Sequence, residues 1–141
     1  FIGLLFASIF VSCSNEPEIP STLEFYDVCY TEMDYNSEAY GYPSESDKVT
    51  DIETNKEYII FIKLHSPDLN FKKLVFTNGG YTGEINFTDD DTDYEWYYCE
   101  GVYWGAGTVG PMNVTYWLVD DLGRKSNSIK LTLNMMEPAA E

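Results

Sequence analysis

Positive charge and histidine are what this sequence has least of. Eight Lys and Arg stand against twenty-four Asp and Glu, with one His and a formal net charge of −16. Nucleic-acid binding needs a basic stripe to neutralise phosphates, and none is present. Electrostatic docking on anionic lipid is opposed for the same reason. Catalytic signatures are missing too: there is no Gly-x-Ser-x-Gly elbow, no His-Glu-x-x-His run and no phosphate-cradling loop. The lone His65 sits beside a turn proline and reads as a surface loop residue. Paired carboxylates are unavoidable among twenty-four acids, so they do not argue for glycosidase chemistry. The glycines between Gly101 and Gly110 lack the strand-then-helix setting of a nucleotide site. A long apolar stripe of helical period is absent as well, which argues against a helical protein.

What is abundant is aromatic side chain. Twelve Tyr, eight Phe and three Trp make 16% of the chain, within a hydrophobic fraction of 44%. A chain of 141 residues with this content can bury one real core and has room for one domain. Aromatic and β-branched residues favour strands. The acidic excess reads first as a solvated surface, and beyond that as a field favouring cationic ligands or partners.

Phe1 to Val11 is an uncharged apolar run about as long as a signal-peptide core and too short to span a bilayer. Phe10-Val11-Ser12-Cys13 follows, and a polar stretch begins immediately after it. This resembles the lipobox of bacterial lipoproteins, with Phe10 where Leu is usual. The resemblance implies a partial signal peptide over 1–12, lipidation of Cys13, and a tether over 13–22 containing Pro17 and Pro20. An ordinary cleaved signal or an N-terminal strand with an incidental Cys is the alternative. Lipidation would place the protein in a bacterial cell envelope, at the outer membrane or cell surface rather than free in the periplasm.

From Leu23 the chain alternates strand patterns with turn signals. Leu23–Thr31 reads as an edge strand, and Met33–Asp51 as a long polar loop, mobile rather than functional. Lys56–Leu64 reads as a central strand, with Tyr58, Ile60, Ile62 and Leu64 on one face and Ile59 and Phe61 on the other. Phe71–Thr77, Glu84–Thr88 and Tyr94–Tyr103 follow as strands. The most legible stretch is a closing hairpin, Met112 to Asn134, turning at Asp120-Asp121-Leu122-Gly123-Arg124. Its alternation puts Val114, Tyr116, Leu118, Ile129, Leu131 and Leu133 in the core and turns Trp117 and Val119 away. About seven antiparallel strands at such spacing predict an all-β sandwich over 23–136, with a short tail over 137–141.

Lys56–Phe76, with its Ser66-Pro67-Asp68-Leu69 turn, resembles the B–C region of bacterial immunoglobulin-like or fibronectin-III-like domains. Val114–Leu133 resembles their F–G hairpin. The resemblance spans roughly 22–136 and implies a single immunoglobulin-like β-sandwich, a scaffold for binding and spacer roles that brings no catalytic residues. Cys29 and Cys99 have a spacing similar to the inter-sheet bridge of that family, yet fall on the first and fifth strands rather than on those that carry it. They are either a disulfide or two separate buried thiols.

Asp89, Asp90, Asp91 and Asp93 crowd one turn and Asp120 and Asp121 another, the oxygen-rich chemistry calcium uses. The glycine and distal Glu of an EF-hand loop are missing, so a solvated acidic turn is the plainer reading and no metal or cofactor is expected. Trp96, Tyr98, Tyr103, Trp104 and Trp117 are the candidate binding aromatics. Exposed Tyr and Trp supply protein hot spots and sugar-stacking platforms; covered ones pack under loops. Asn86 and Asn113 fit the glycosylation sequon without evident meaning in a bacterial lipoprotein. The expectation is a non-catalytic cell-envelope lipoprotein acting as a binding or protein-interaction module, with carbohydrate binding second and a small enzyme a distant third. Its partners would be the membrane, through the lipid, and a protein or glycan, without nucleic acid.

Overall fold

The computed structural model describes residues 21–87 and 95–138. Its strands are β1 (Glu24–Glu32), β2 (Asp51–Glu53), β3 (Tyr58–His65), β4 (Phe71–Thr77), β5 (Thr82–Asn86), β6 (Trp96–Val102), β7 (Gly110–Asp120) and β8 (Lys125–Met136). A one-turn helix, α1 (Ser37–Tyr40), and a 3-10 turn (Glu45–Asp47) lie between β1 and β2. One sheet runs β1-β3-β6 and the other β2-β8-β7-β4-β5. Consecutive strands β3 and β4 lie in different sheets, while β7–β8 stays within one. That is the immunoglobulin-like arrangement, and the fold is an all-β sandwich.

The core is where the two periodicities meet. Tyr58, Ile60, Ile62 and Leu64 of β3 face Leu74, Val114, Tyr116, Leu118 and Leu133 from the other sheet, all buried. Burying each such side chain stabilises the fold by about 2 kcal/mol before entropy is counted. Ile129 and Leu131 are only partly covered, because they lie nearer the sandwich margin. Val119 is buried outside the main core, and Trp117 is half-buried.

Three departures from the sequence reading have physical causes. First, β1 is the edge strand that its mixed pattern suggested, but the mixing itself arises because the pairing with β3 slips between Phe25 and Asp27. The extra residue resets the alternation, so Phe25, Val28 and Tyr30 all point inward. Second, the described residues form eight strands, and β2 pairs with β8 in parallel, at the end of the stretch read as loop. Third, residues 33–50 pack. Asn36 caps α1 by accepting from the Ala39 amide at 3.1 Å, and the Val49 amide donates to Tyr30 at 2.8 Å. Tyr35 and Tyr42 from this segment lie edge-on over Phe61, at 5.5 and 6.0 Å. The outward Ile59 and Phe61 require such a cover, and both are fully buried by it.

The two ends of the sandwich differ. Ser66–Asn70, Asp120–Lys125 and the incoming residues Ser21–Leu23 share one end. Thr54–Lys56, the β4–β5 turn and the β6–β7 connection share the other. At the first end Asn127 of β8 clamps β1, accepting from the Phe25 amide and donating to its carbonyl, both at 2.9 Å. Thr22 donates to Asp68 at 2.6 Å. Asp120 accepts from the Leu122 amide at 3.0 Å, the Arg124 amide at 2.9 Å and the Arg124 guanidinium at 2.8 Å. Gly123 makes the same turn possible, since its φ of 80° is a left-handed conformation that a side chain would strain.

Candidate functional site

The opposite end stays open. A cavity of about 910 Å³ lies there, within the size range of small-molecule sites. Phe76 and Ile85 come from the β4–β5 hairpin, Val102 and Trp104 from the end of β6, and Met112 and Met135 from β7 and β8. Tyr81 and Tyr103, 60% and 63% exposed, stand at the mouth. Phe76 is aimed inward by its cross-strand neighbour Gly83, whose missing side chain leaves room for the ring; a Cβ there would come within 2.5 Å of it. The ring then meets Trp104 edge-on at 5.4 Å and Tyr116 at 6.1 Å. Asn78 is committed to the hairpin turn, its side-chain oxygen accepting from the Gly80 and Tyr81 amides at 2.9 and 2.8 Å.

Tyr30 reaches the inner wall of this cavity from β1. Its hydroxyl shares one hydrogen bond, 2.6 Å long, with that of Tyr116. Burial raises the Tyr30 pKa to about 12, against lowering contacts from Tyr116 and the Trp104 side chain. Burial likewise raises Tyr116 well above the ordinary tyrosine value, and its Tyr30 neighbour adds to this. Both are therefore neutral phenols at physiological pH.

The five aromatics singled out in the sequence fall into three places. Tyr103 and Trp104 belong to the cavity. Trp96 and Tyr98 lie on the outer face of the β1-β3-β6 sheet, 6.1 Å apart, flanking Phe61. Trp117 lies on the outer face of the other sheet, where the Lys125 ammonium sits 4.8 Å from its ring centroid. The outward Trp117 is half-buried, with this cation over its ring. Phe76 and Tyr81 were not singled out, since nothing local marks them; only the Phe76–Gly83 pairing across the hairpin identifies them, and that pairing depends on register.

Cys29 and Cys99 are free thiols, which corrects the disulfide alternative. Strand β3 lies between their strands, with Cys29 opposite Phe61 and Phe61 opposite Tyr98. Two strand spacings of about 4.8 Å put them beyond disulfide reach. They also occupy opposite faces, Cys29 in the outer aromatic cluster and Cys99 against the main core. Burial raises Cys29 to about 11, and burial again raises Cys99, so neither is an activated nucleophile. Cys29 donates to the Tyr42 hydroxyl at 3.6 Å, and Tyr42 donates to Asp27 at 2.9 Å. Lys48 bridges Asp27 and Glu45, at 2.7 and 2.6 Å.

Cys13, Asp89, Asp90, Asp91 and Asp93 lie outside the described residues. Among the described residues no group of three or more His, Cys, Asp and Glu side chains could hold a metal ion. Asp120 is committed to Arg124. His65 ends β3 with its side chain exposed. No described helix is long and apolar enough to cross a membrane. Asn86 ends β5 on the surface, and Asn113 accepts from the Thr132 hydroxyl at 2.7 Å.

No family model matches the chain, and no curated protein does either. Among solved structures, the PKD domain of an M14-like peptidase from a Thermoplasmatales archaeon is similar at 16% identity and a TM-score of 0.45, over 62% of this chain and 86% of that one. A Niemann-Pick type C2 protein from the Japanese carpenter ant is similar at 11% identity and a TM-score of 0.48, over 86% of this chain and 98% of that one.

Proposed function

We propose that this chain is a non-catalytic binding module of a bacterial cell envelope, anchored through a lipidated Cys13, that engages its ligand at the open end of the sandwich. The observation that carries the binding reading is the cavity of about 910 Å³ walled by Phe76, Trp104 and Met112, with exposed Tyr81 and Tyr103 at its mouth. A core that leaves such a space forgoes packing energy, and bound ligand would recover it. Support for the anchor is sequential: the apolar run, Ser12-Cys13 and the abrupt change to polar residues coincide.

The fold gives the two features a common logic. The tether joins the sandwich through Ser21–Leu23, at the end sealed by Asp120, Asn127 and Asp68. A module held this way presents its cavity away from the membrane. N-phenyl-1-naphthylamine, which brightens in apolar cavities, should fluoresce with the wild type and lose most of that signal with Met112→Trp, whose indole fills the space. Equal signal from both proteins would reject the cavity as the binding site. Palmitate labelling that persists in Cys13→Ala would reject the anchor.

A further inference from the structure

We infer that the cavity takes an uncharged, largely apolar molecule carrying a hydrogen-bond-accepting oxygen, and that the Tyr30 hydroxyl is the group that grips this oxygen. The inference rests on the proposed cavity site and adds the class of ligand.

Two observations carry it. The first is charge. The chain holds thirty-two Asp, Glu, Lys and Arg residues by the same count that gives twenty-four acids and eight bases. Among the described residues none of these, and not His65, lines the cavity. By contrast, the two smaller clefts beside Tyr42 are lined by Glu32, Asp34 and Asp47 in one, and by Asp27, Glu45, Lys48 and Lys63 in the other. An anion would find no counter-ion in the cavity and an opposing field from the whole protein. A cation would have to leave water without a carboxylate to receive it. Burying an unpaired charge is costly in either case.

The second is a proton count. Tyr30 and Tyr116 are 4% and 0% exposed, and their hydroxyls carry two hydrogens between them. They share one hydrogen bond, and among the described residues neither meets another acceptor. The Trp104 side chain beside Tyr30 offers an N–H, which is again a donor. One hydroxyl hydrogen is therefore always left over. If Tyr116 donates to Tyr30, the surplus hydrogen belongs to Tyr30, which lines the cavity, whereas Tyr116 does not. A ligand oxygen in the cavity would fix this arrangement and satisfy every donor. Because both phenols stay neutral, what the wall offers is a neutral hydrogen bond to a carbonyl, ester or ether oxygen.

The test is a set of four probes followed by isothermal calorimetry: 2-decanone, decanoate, decylammonium and cellohexaose. The first should bind at least tenfold more tightly than each of the others. Tyr30→Phe should lower its affinity about tenfold. Tyr116→Phe removes the same hydroxyl mass yet leaves Tyr30 free to donate, so affinity should be kept or raised. Met112→Trp should abolish binding, and thermal melts of all three variants establish that they fold. No binding of any probe, or binding untouched by Met112→Trp, overturns the cavity reading and this inference with it. Tightest binding of decanoate, decylammonium or cellohexaose, lost in Met112→Trp, leaves the cavity reading standing and overturns the inference. So does 2-decanone binding that Tyr30→Phe leaves unchanged.

Discussion

The two ends of this sandwich are built by opposite rules. At the end where β1 begins, most polar groups are paired: Asp120 collects donors from Leu122 and Arg124, and Asn127 spends both halves of its amide on Phe25, while the buried Asn70 Oδ1 is left without a partner. At the cavity end aromatic rings meet without filling the space between the sheets, and among the described residues a buried phenol hydrogen has no acceptor. The lesson is a division of labour along one short axis. Stability is concentrated where the chain enters, and unspent binding capacity where it is presented.

The largest expected effect tests the sealed end. Asp120→Ala strands two amides and the Arg124 guanidinium and should cost about 3 kcal/mol in urea unfolding. Asn127→Ala should cost about 2 kcal/mol, since it uncouples β1 from β8 by two hydrogen bonds. At the open end, Gly83→Val should cost only about 1–2 kcal/mol. It should instead displace Phe76 toward the cavity and reduce dye binding, so near-UV circular dichroism and N-phenyl-1-naphthylamine titration would separate the ends by kind of damage. Lys125→Ala should have the smallest effect, about 0.5 kcal/mol, with a change in Trp117 emission.

The contrast also has a pH signature. Burial alone would raise Asp120, but hydrogen bonds from Arg124, Ser21 and Leu122 outweigh it and hold the carboxyl below its ordinary value. A carboxyl lowered on folding stabilises the protein above its unfolded pKa of about 3.9, and that contribution disappears as the pH falls through the folded value. Unfolding free energy should therefore drop in acid in the wild type, and drop less steeply in Asp120→Asn. Alkylation offers a parallel check in a Cys13→Ser background. Cys99 should react slowly and Cys29 more slowly still, with two thiols titrating once the protein is unfolded.

Much of this scaffold was legible in the residues, and the reasons are local. Tyr58, Ile60, Ile62 and Leu64 alternate without interruption, and so do Val114, Tyr116 and Leu118, so faces and strands followed directly. Where a bulge intervened, at Phe25–Asp27, the alternation broke and the pattern suggested only an edge. The parallel β2 is three residues long, too short to carry a period. The site was half visible. Tyr103 and Trp104 stood out as aromatics, but Trp96, Tyr98 and Trp117 shared their chemistry and ended on other surfaces. What separates them is register across β3, β6 and β7, and the free Cys29 and Cys99 were separated by the same register. Tyr30–Tyr116, eighty-six residues apart, had no local signal at all.

That dispersal supplies the decisive measurement, because the three tryptophans occupy the three surfaces that compete for the ligand. In a proton–nitrogen spectrum each indole N–H gives its own signal, assignable by Trp96→Phe, Trp104→Phe and Trp117→Phe. On titration with 2-decanone, the Trp104 signal should shift progressively while those of Trp96 and Trp117 stay in place. A shift confined to Trp96 or Trp117 would contradict the account and move the binding surface to an outer face of the sandwich.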